Sequence, residues 1–487
     1  MFTVFLVGFP IILIIAIFTK LVYFRVNYQW LNNLAKYIVW SLPFEFFPRI
    51  EIAGSGFRIS QFLVLISIWV IVILLIKKNT KLLNHKLSKW SFFPVIFGLL
   101  SFPSWFLVQD WLRFSVFWFG TILVFGAMLI VGNFVVDIEK RLKELAWILV
   151  GCGIFGLYQF VGDMIGLPTG LREHYTKAVF GIPRVQGTAV EPLYFAGMLI
   201  IAIFVFLVMI MSGNSGNSSI SDSSNSPQSQ SKTFFGSAFF GDFFLPLSKF
   251  ARFRYKNWIG LSVILLAFVL TLSKGSFAVL ALLIPFVLVL GYFKFQFWQS
   301  IVNQYLVRLV LIIVLLIPII ATFVDPVILF GSVGQNFVET LAGTSPSAVE
   351  RGRFGQEAIL ALSNNLVQGV GMGQYAQYVG DNLGNLNLDR KAIVNNVYLE
   401  VWLENGFLAL MSFVVLLVGV WLDLLRNVLV RNQTYGFEFN SQFNSQFCLL
   451  FILSAYYLQW TLFSPIFIMP IFVLLGLGIR SCELAKD

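Results

Sequence analysis

LYFAGMLIIAIFVFLVMIM (193–211) carries no charged side chain. As a helix rising about 1.5 Å per residue it is nearly 30 Å long, enough to cross the hydrocarbon core of a bilayer. Comparable apolar runs fall near 3–19, 60–76, 91–108, 114–133, 145–166, 258–273, 275–293, 306–324, 397–421, 447–463 and 465–479. An unpaired backbone amide in lipid costs several kcal/mol, so such runs must be helices or closed barrels, and none shows the strict alternation of a barrel strand. The expected fold is an all-α polytopic membrane protein of about 12 transmembrane helices. WLNNLAKYIVWSLPFEFF (30–47) is a weaker stretch, interrupted by Pro43 and charges, and reads as re-entrant, interfacial or a thirteenth span.

Composition agrees with the runs. Of 487 residues, 58% are hydrophobic and only 11% charged, too little polar surface to enclose a water-soluble globule. The net charge of +10 reads as lysines and arginines holding loops on the cytoplasmic side, not as a nucleic-acid surface. Cys152, Cys448 and Cys482 lie in or beside apolar runs without CxxC spacing, so neither a disulfide framework nor a metal site is expected. The opening MFTVFLVGFPIILIIAIF lacks a basic n-region and a small-residue cleavage site and reads as a first membrane helix.

Basic residues set the orientation. Lys77, Lys78, Lys81, Lys86 and Lys89 crowd one connection, Lys140, Arg141 and Lys143 a second, and Lys249, Arg252, Arg254 and Lys256 a third. All three share one side of a twelve-span path, which is taken as cytoplasmic. The expected organisation is an N-terminal helix bundle (1–166), an external loop and sixth span (167–211), a disordered and interfacial cytoplasmic loop (212–257), spans seven to nine (258–324), a large external loop (325–396) and C-terminal spans (397–487). The cytoplasmic loop opens with the Ser/Asn-rich NSGNSSISDSSNSPQSQS (214–231), which lacks the apolar residues to offset its ordering entropy. The external loop is not low-complexity, and is expected to fold over the mouth of the bundle.

Cations on the outer side run against the topology bias and call for a reason. Lys274 sits between two apolar runs joined by almost no loop, where it needs an anionic partner or snorkels to the interface. Arg351 and Arg353, in SAVERGRFGQEA, open a helix-like segment; guanidinium groups there suit phosphate oxygens, and Glu350 and Glu357 offer local salt bridges instead. Arg184 precedes Glu191 by seven residues, with Glu191 directly before Pro192 at the mouth of the 193–211 run. That places Glu191 as a helix cap or, partly buried, as a general base.

Taken in order, RVQGTAVEPLYFAGML (184–199), LTLSKGSFAVLALLI (270–284), ERGRFGQEAILALSNNLVQGVGMGQY (350–375) and NNVYLEVWLENGFLALMSF (395–413) resemble the O-antigen ligase and polymerase superfamily of membrane glycosyltransferases. The resemblance covers about 180–415. It implies a C-type glycosyltransferase-like bundle that takes a glycan from an undecaprenyl diphosphate carrier in the bacterial inner membrane and joins it to an acceptor on the periplasmic face. It implies no cofactor, metal or nucleic acid, with membrane lipid, a flippase and a chain-length regulator as partners. It maps diphosphate binding onto Arg184, Lys274, Arg351 and Arg353, and the acceptor loop onto Asn395, Asn396, Tyr398 and Glu400. Asn395 stands where ligases of the family carry a His, and asparagine accepts no proton. This leans toward a polysaccharide polymerase, an inverting enzyme with Glu191 as catalytic base and His174, also on the outer side, as a substitute. Ligase-type transfer to a lipid acceptor and transport of a lipid-linked glycan are the alternatives.

Overall fold

The computed structural model describes residues 27–44, 49–52, 55–83, 85–189, 191–212, 256–283, 346–382, 394–434, 441–461 and 469–485. In chain order its helices are α1 (Gln29–Ser41), α2 (Ile59–Ile76), α3 (Phe93–Trp105), α4 (Trp111–Phe134), α5 (Ile138–Met164), α6 (Pro192–Ser212), α7 (Lys256–Leu270), α8 (Lys274–Leu283), α9 (Pro346–Asn364), α10 (Tyr375–Asn382), α11 (Val397–Asn405), α12 (Phe407–Thr434), α13 (Ser441–Gln459) and α14 (Met469–Leu484), apart from one-turn pieces. A short antiparallel hairpin, β1 (Arg49–Ile52) with β2 (Ser55–Arg58), departs from the expected all-α reading.

Among the described residues five helical stretches are long and apolar enough to cross a bilayer: Ile59–Ile76, Trp111–Phe134, Ile138–Met164, Pro192–Ile210 and Phe407–Leu429. The runs at 3–19 and 306–324 and the Ser/Asn-rich tract 214–231 lie outside the described residues. The 30–47 stretch forms the 13-residue α1, about 20 Å long at about 1.5 Å per residue, and ends in a 3-10 turn at Pro43. That is short of a full crossing.

The run at 397–421 is not one span. It breaks at Gly406, whose φ of +87° suits a residue without Cβ, and only Phe407 onward is membrane-length. The break is held from outside: Val370 N–H donates to the Leu403 carbonyl (2.6 Å) and Phe407 N–H to the Val367 carbonyl (3.0 Å). α11, with 9 residues, is therefore a separate short helix.

The chain folds as two compact units. The first comprises Met1–Arg141, Glu339–Arg431 and Tyr456–Asp487; the second Leu142–Val338 and Asn432–Ala455. In the first, α4 and α14 meet where Gly132 faces Gly476, so closely that a Cβ on Gly476 would lie 2.7 Å from the Met128 carbonyl oxygen. Lipid tails are as apolar as leucine, so such close backbone packing, more than water exclusion, holds helices together in a bilayer. Beside this crossing Trp460, fully buried, packs on Phe413 and Phe472 with ring centroids 5.4 and 6.1 Å away. In the second unit α7 approaches α6 at Gly260, where a Cβ would stand 2.7 Å from the Phe206 ring.

The described part of the 325–396 loop has a hydrophobic core of its own. Ala358, Ala361 and Leu362 of α9 pack with Val370, Tyr375, Val379 and Val394 and with Leu403 of α11. The expectation of a folded segment there agrees with this core.

Candidate functional site

Chemistry-bearing side chains gather in two places, one in each unit. In the second unit the polar loop between α5 and α6 is stapled by Gln159 of α5. Its Oε1 accepts the N–H groups of Gly187 (2.7 Å) and Gln186 (3.3 Å), and its Nε2 donates to the Gly187 carbonyl (3.2 Å). Gly187 has φ +55° and lies against Phe195 in the first turn of α6, where a Cβ would come within 2.3 Å of the ring. Phe195 N–H in turn donates to the Glu191 carbonyl at 3.2 Å, so α6 starts at Glu191 with Pro192 in its first turn.

This loop delivers Arg184 to the end of α7. Nε donates to the Thr271 carbonyl and Nη2 to the Leu272 carbonyl, both at 3.3 Å, while Val185 N–H donates to the Leu270 carbonyl at 3.1 Å. A guanidinium is well suited to the orphan carbonyls and negative end of a helix C-terminus. Leu272 adopts φ +48°, turning the chain so that Lys274 opens α8 two residues later. Both cations are half-buried. Glu191 and Tyr175 both lie within electrostatic range of Arg184, whose guanidinium carbon sits 5.7 Å from the Tyr175 ring centre. Burial, and then the Glu191 carboxylate, push the Tyr175 phenol up. The structure thus brings Arg184, Lys274 and Glu191 to the mouth shared by α6, α7 and α8. His174 is exposed on the same loop.

The first unit holds the remaining candidates. Arg351 and Arg353 lie inside α9 and not on an open loop. Arg353 Nε pairs with Glu357 at 3.3 Å, one helical turn on; the Arg351 side chain lies outside the described residues. Asn395 takes φ +58°, a left-handed conformation that asparagine tolerates. Asn396 is the N-cap of α11, its Oδ1 accepting the Leu399 N–H at 3.0 Å. Tyr398 donates its hydroxyl to the Tyr457 carbonyl at 2.9 Å. These three residues have evident structural work.

Glu400 differs. It is 4% exposed, one turn from Glu404 at 5%, and both face Arg113 of α4. Burial, then the Glu404 carboxylate, push Glu400 well above the ordinary carboxylate range. Burial pushes Glu404 up to about 7, opposed by the N–H groups of Gly373 and Tyr375 that hydrogen-bond its carboxylate and by Arg113. Glu404 did not emerge from the sequence, because it lay within a run read as membrane-spanning; the acidic i, i+4 pair in YLEVWLEN was the available signal.

Residues 259–414 match the family model described as O-antigen ligase. This supports the O-antigen ligase and polymerase superfamily. The matched region of the superfamily contains Lys274, Arg351, Arg353, Asn395, Asn396, Tyr398, Glu400 and Glu404, whereas Arg184 and Glu191 precede it. The family implies a glycosyltransferase-like enzyme acting on lipid-linked glycan, and with the apolar helices it indicates a multi-pass membrane protein. No curated protein gives a significant match to the chain.

Proposed function

We propose that this chain is a polysaccharide polymerase of about twelve spans in the bacterial inner membrane, joining undecaprenyl-diphosphate-linked repeat units on the periplasmic face. An acceptor hydroxyl oxygen attacks the anomeric carbon of the donor glycan. The bond to the carrier diphosphate breaks, the diphosphate leaves with the electron pair, and the configuration inverts. Glu191 takes the hydroxyl proton, and Arg184 and Lys274 hold the diphosphate. A flippase supplies the donor, and a chain-length regulator is a further partner.

The observation that carries the reading is Arg184, within electrostatic reach of Glu191, bound to the α7–α8 junction where Lys274 opens α8. The N-terminus of α8 adds the attraction of a helix start for anions. A positioned base contributes a factor of about 10² to 10⁴ in rate, whereas a lost cap costs about 1 kcal/mol. Glu191→Gln therefore folds and binds donor but hardly elongates in a purified assay with lipid-linked oligosaccharide. Elongation at the wild-type rate would reduce Glu191 to a cap.

Transfer to a lipid acceptor fits the family match equally well, and the product separates the two: a ladder of repeat units for a polymerase, a single capped lipid for a ligase. The orientation is tested by cysteine labelling, which should report a cytoplasmic site within 214–231 and an external one within 380–390.

A further inference from the structure

The glycine-rich segment 369–375 is tied down at three points. Gly369, Gly371 and Gly373 have φ of +73°, +99° and +75°, a backbone path natural to glycine. Val370 N–H holds the segment to the Leu403 carbonyl of α11. The buried Gln374 side chain accepts the Asp110 N–H at 3.0 Å and donates to the Asp110 carbonyl at 3.2 Å, fixing it to the start of α4. The third tie is Glu404, whose carboxylate takes the N–H groups of Gly373 and Tyr375.

Deepening the reading above, and resting on it for the catalytic part alone, we propose that Glu400 and Glu404 form a proton-sharing pair whose single negative charge, facing Arg113, clamps the 369–375 loop to α11 and positions this region for glycan transfer. Two carboxylates one helical turn apart, both nearly excluded from solvent, cannot both ionise cheaply beside one arginine. Glu404 has the backbone donors and so carries the charge; Glu400 keeps the proton. The charged and titratable groups facing the pair are Arg113 from α4 and Tyr375 from α10, and Tyr375 in turn lies within electrostatic range of Glu357 and Arg353 of α9. The upward shift of both acids agrees with this geometry. The two residues act as positioning residues, through the loop.

The pair makes the two glutamates unequal, which thermal unfolding of the full chain in detergent reads without any transfer assay. A carboxyl whose folded pKa lies above its unfolded value loses stability as pH rises from the unfolded toward the folded value. Glu400→Gln, which imitates the protonated acid, should match the wild-type Tm near about pH 5 and exceed it by a margin that grows toward about pH 9. Glu404→Gln puts an amide where two N–H donors need an anion; its Tm should fall at both pH values, and glycan transfer should drop at least about tenfold. A Glu400→Gln variant with the wild-type pH slope, or one as damaged as Glu404→Gln, overturns the proposal. Should Glu404→Gln fail to accumulate, the Glu400→Gln slope decides alone. If no variant or wild-type sample transfers glycan, the proposed function fails while the slope still judges the pair.

Discussion

Arg184 in the second unit and Glu404 in the first are both charges drawn away from water, and both are met first by backbone dipoles. Arg184 donates to carbonyls at the end of α7; Glu404 accepts N–H groups from a glycine loop. The difference lies in what is left over. Arg184 has Glu191 within electrostatic range and Lys274 opening the next helix, so a second cation stands beside the chain turn it caps. Glu404 is hydrogen-bonded by its loop and faced by Arg113, with Glu400 beside it, so its region spends its charge internally. The same device, a fixed backbone dipole against a buried charge, serves recognition in one region and rigidity in the other.

The two regions should break differently. Gly369→Ala is expected to be the most damaging change, because its φ is +73° and a Cβ would lie 2.4 Å from the Leu403 carbonyl oxygen, backbone against backbone. Strain of this kind costs about 1–3 kcal/mol before the clash is added, so the variant should fail to fold or lose well over about 3 kcal/mol in denaturant unfolding. Gly187→Ala makes the matching test in the second unit. There the obstacle is the Phe195 ring, which can move, so a smaller loss of about 1–3 kcal/mol is expected. A greater loss at Gly187 than at Gly369 would reverse the view of which loop is the more rigid.

Arg184→Lys sharpens the comparison further. Lysine keeps the charge but cannot span the Thr271 and Leu272 carbonyls with a rigid fork, so stability should fall by about 1 kcal/mol and donor binding should weaken more than that loss explains. Equal donor binding in Arg184→Lys and wild type would confine Arg184 to capping α7. The smallest effect is expected from Arg353→Ala. Its partner lies one turn along the same helix, and i, i+4 pairs with a solvent-exposed member contribute about 0.3–0.5 kcal/mol. A Tm drop beyond about 2 °C, or a tenfold loss of transfer, would show that Arg353 does more than pair with Glu357.

Much of this was legible in the chain. Uncharged runs such as 193–211 declared membrane helices because lipid leaves the backbone no other partner, and α6 occupies almost that range. Four short motifs in order marked the superfamily, and the match to 259–414 overlaps the last three. The division of 397–421 at Gly406 was not legible, since hydropathy continues across it; the turn is enforced by the 367–370 backbone, which only the fold brings there. The roles of Asn395 and Asn396 were likewise hidden, because a left-handed φ and a cap are properties of a helix start and not of two adjacent asparagines.

The sequence by itself determined that the protein is helical, multi-pass and similar to the O-antigen ligase and polymerase superfamily, because these follow from local runs and motifs whose physics needs no distant partner. Tertiary structure alone decided which charges meet. Arg184 reaches carbonyls 87 and 88 positions away, and Glu404 is held by a loop some thirty residues earlier. A charge in a low-dielectric interior is stable only beside the dipole that matches it, and that match is made by packing, not by order along the chain.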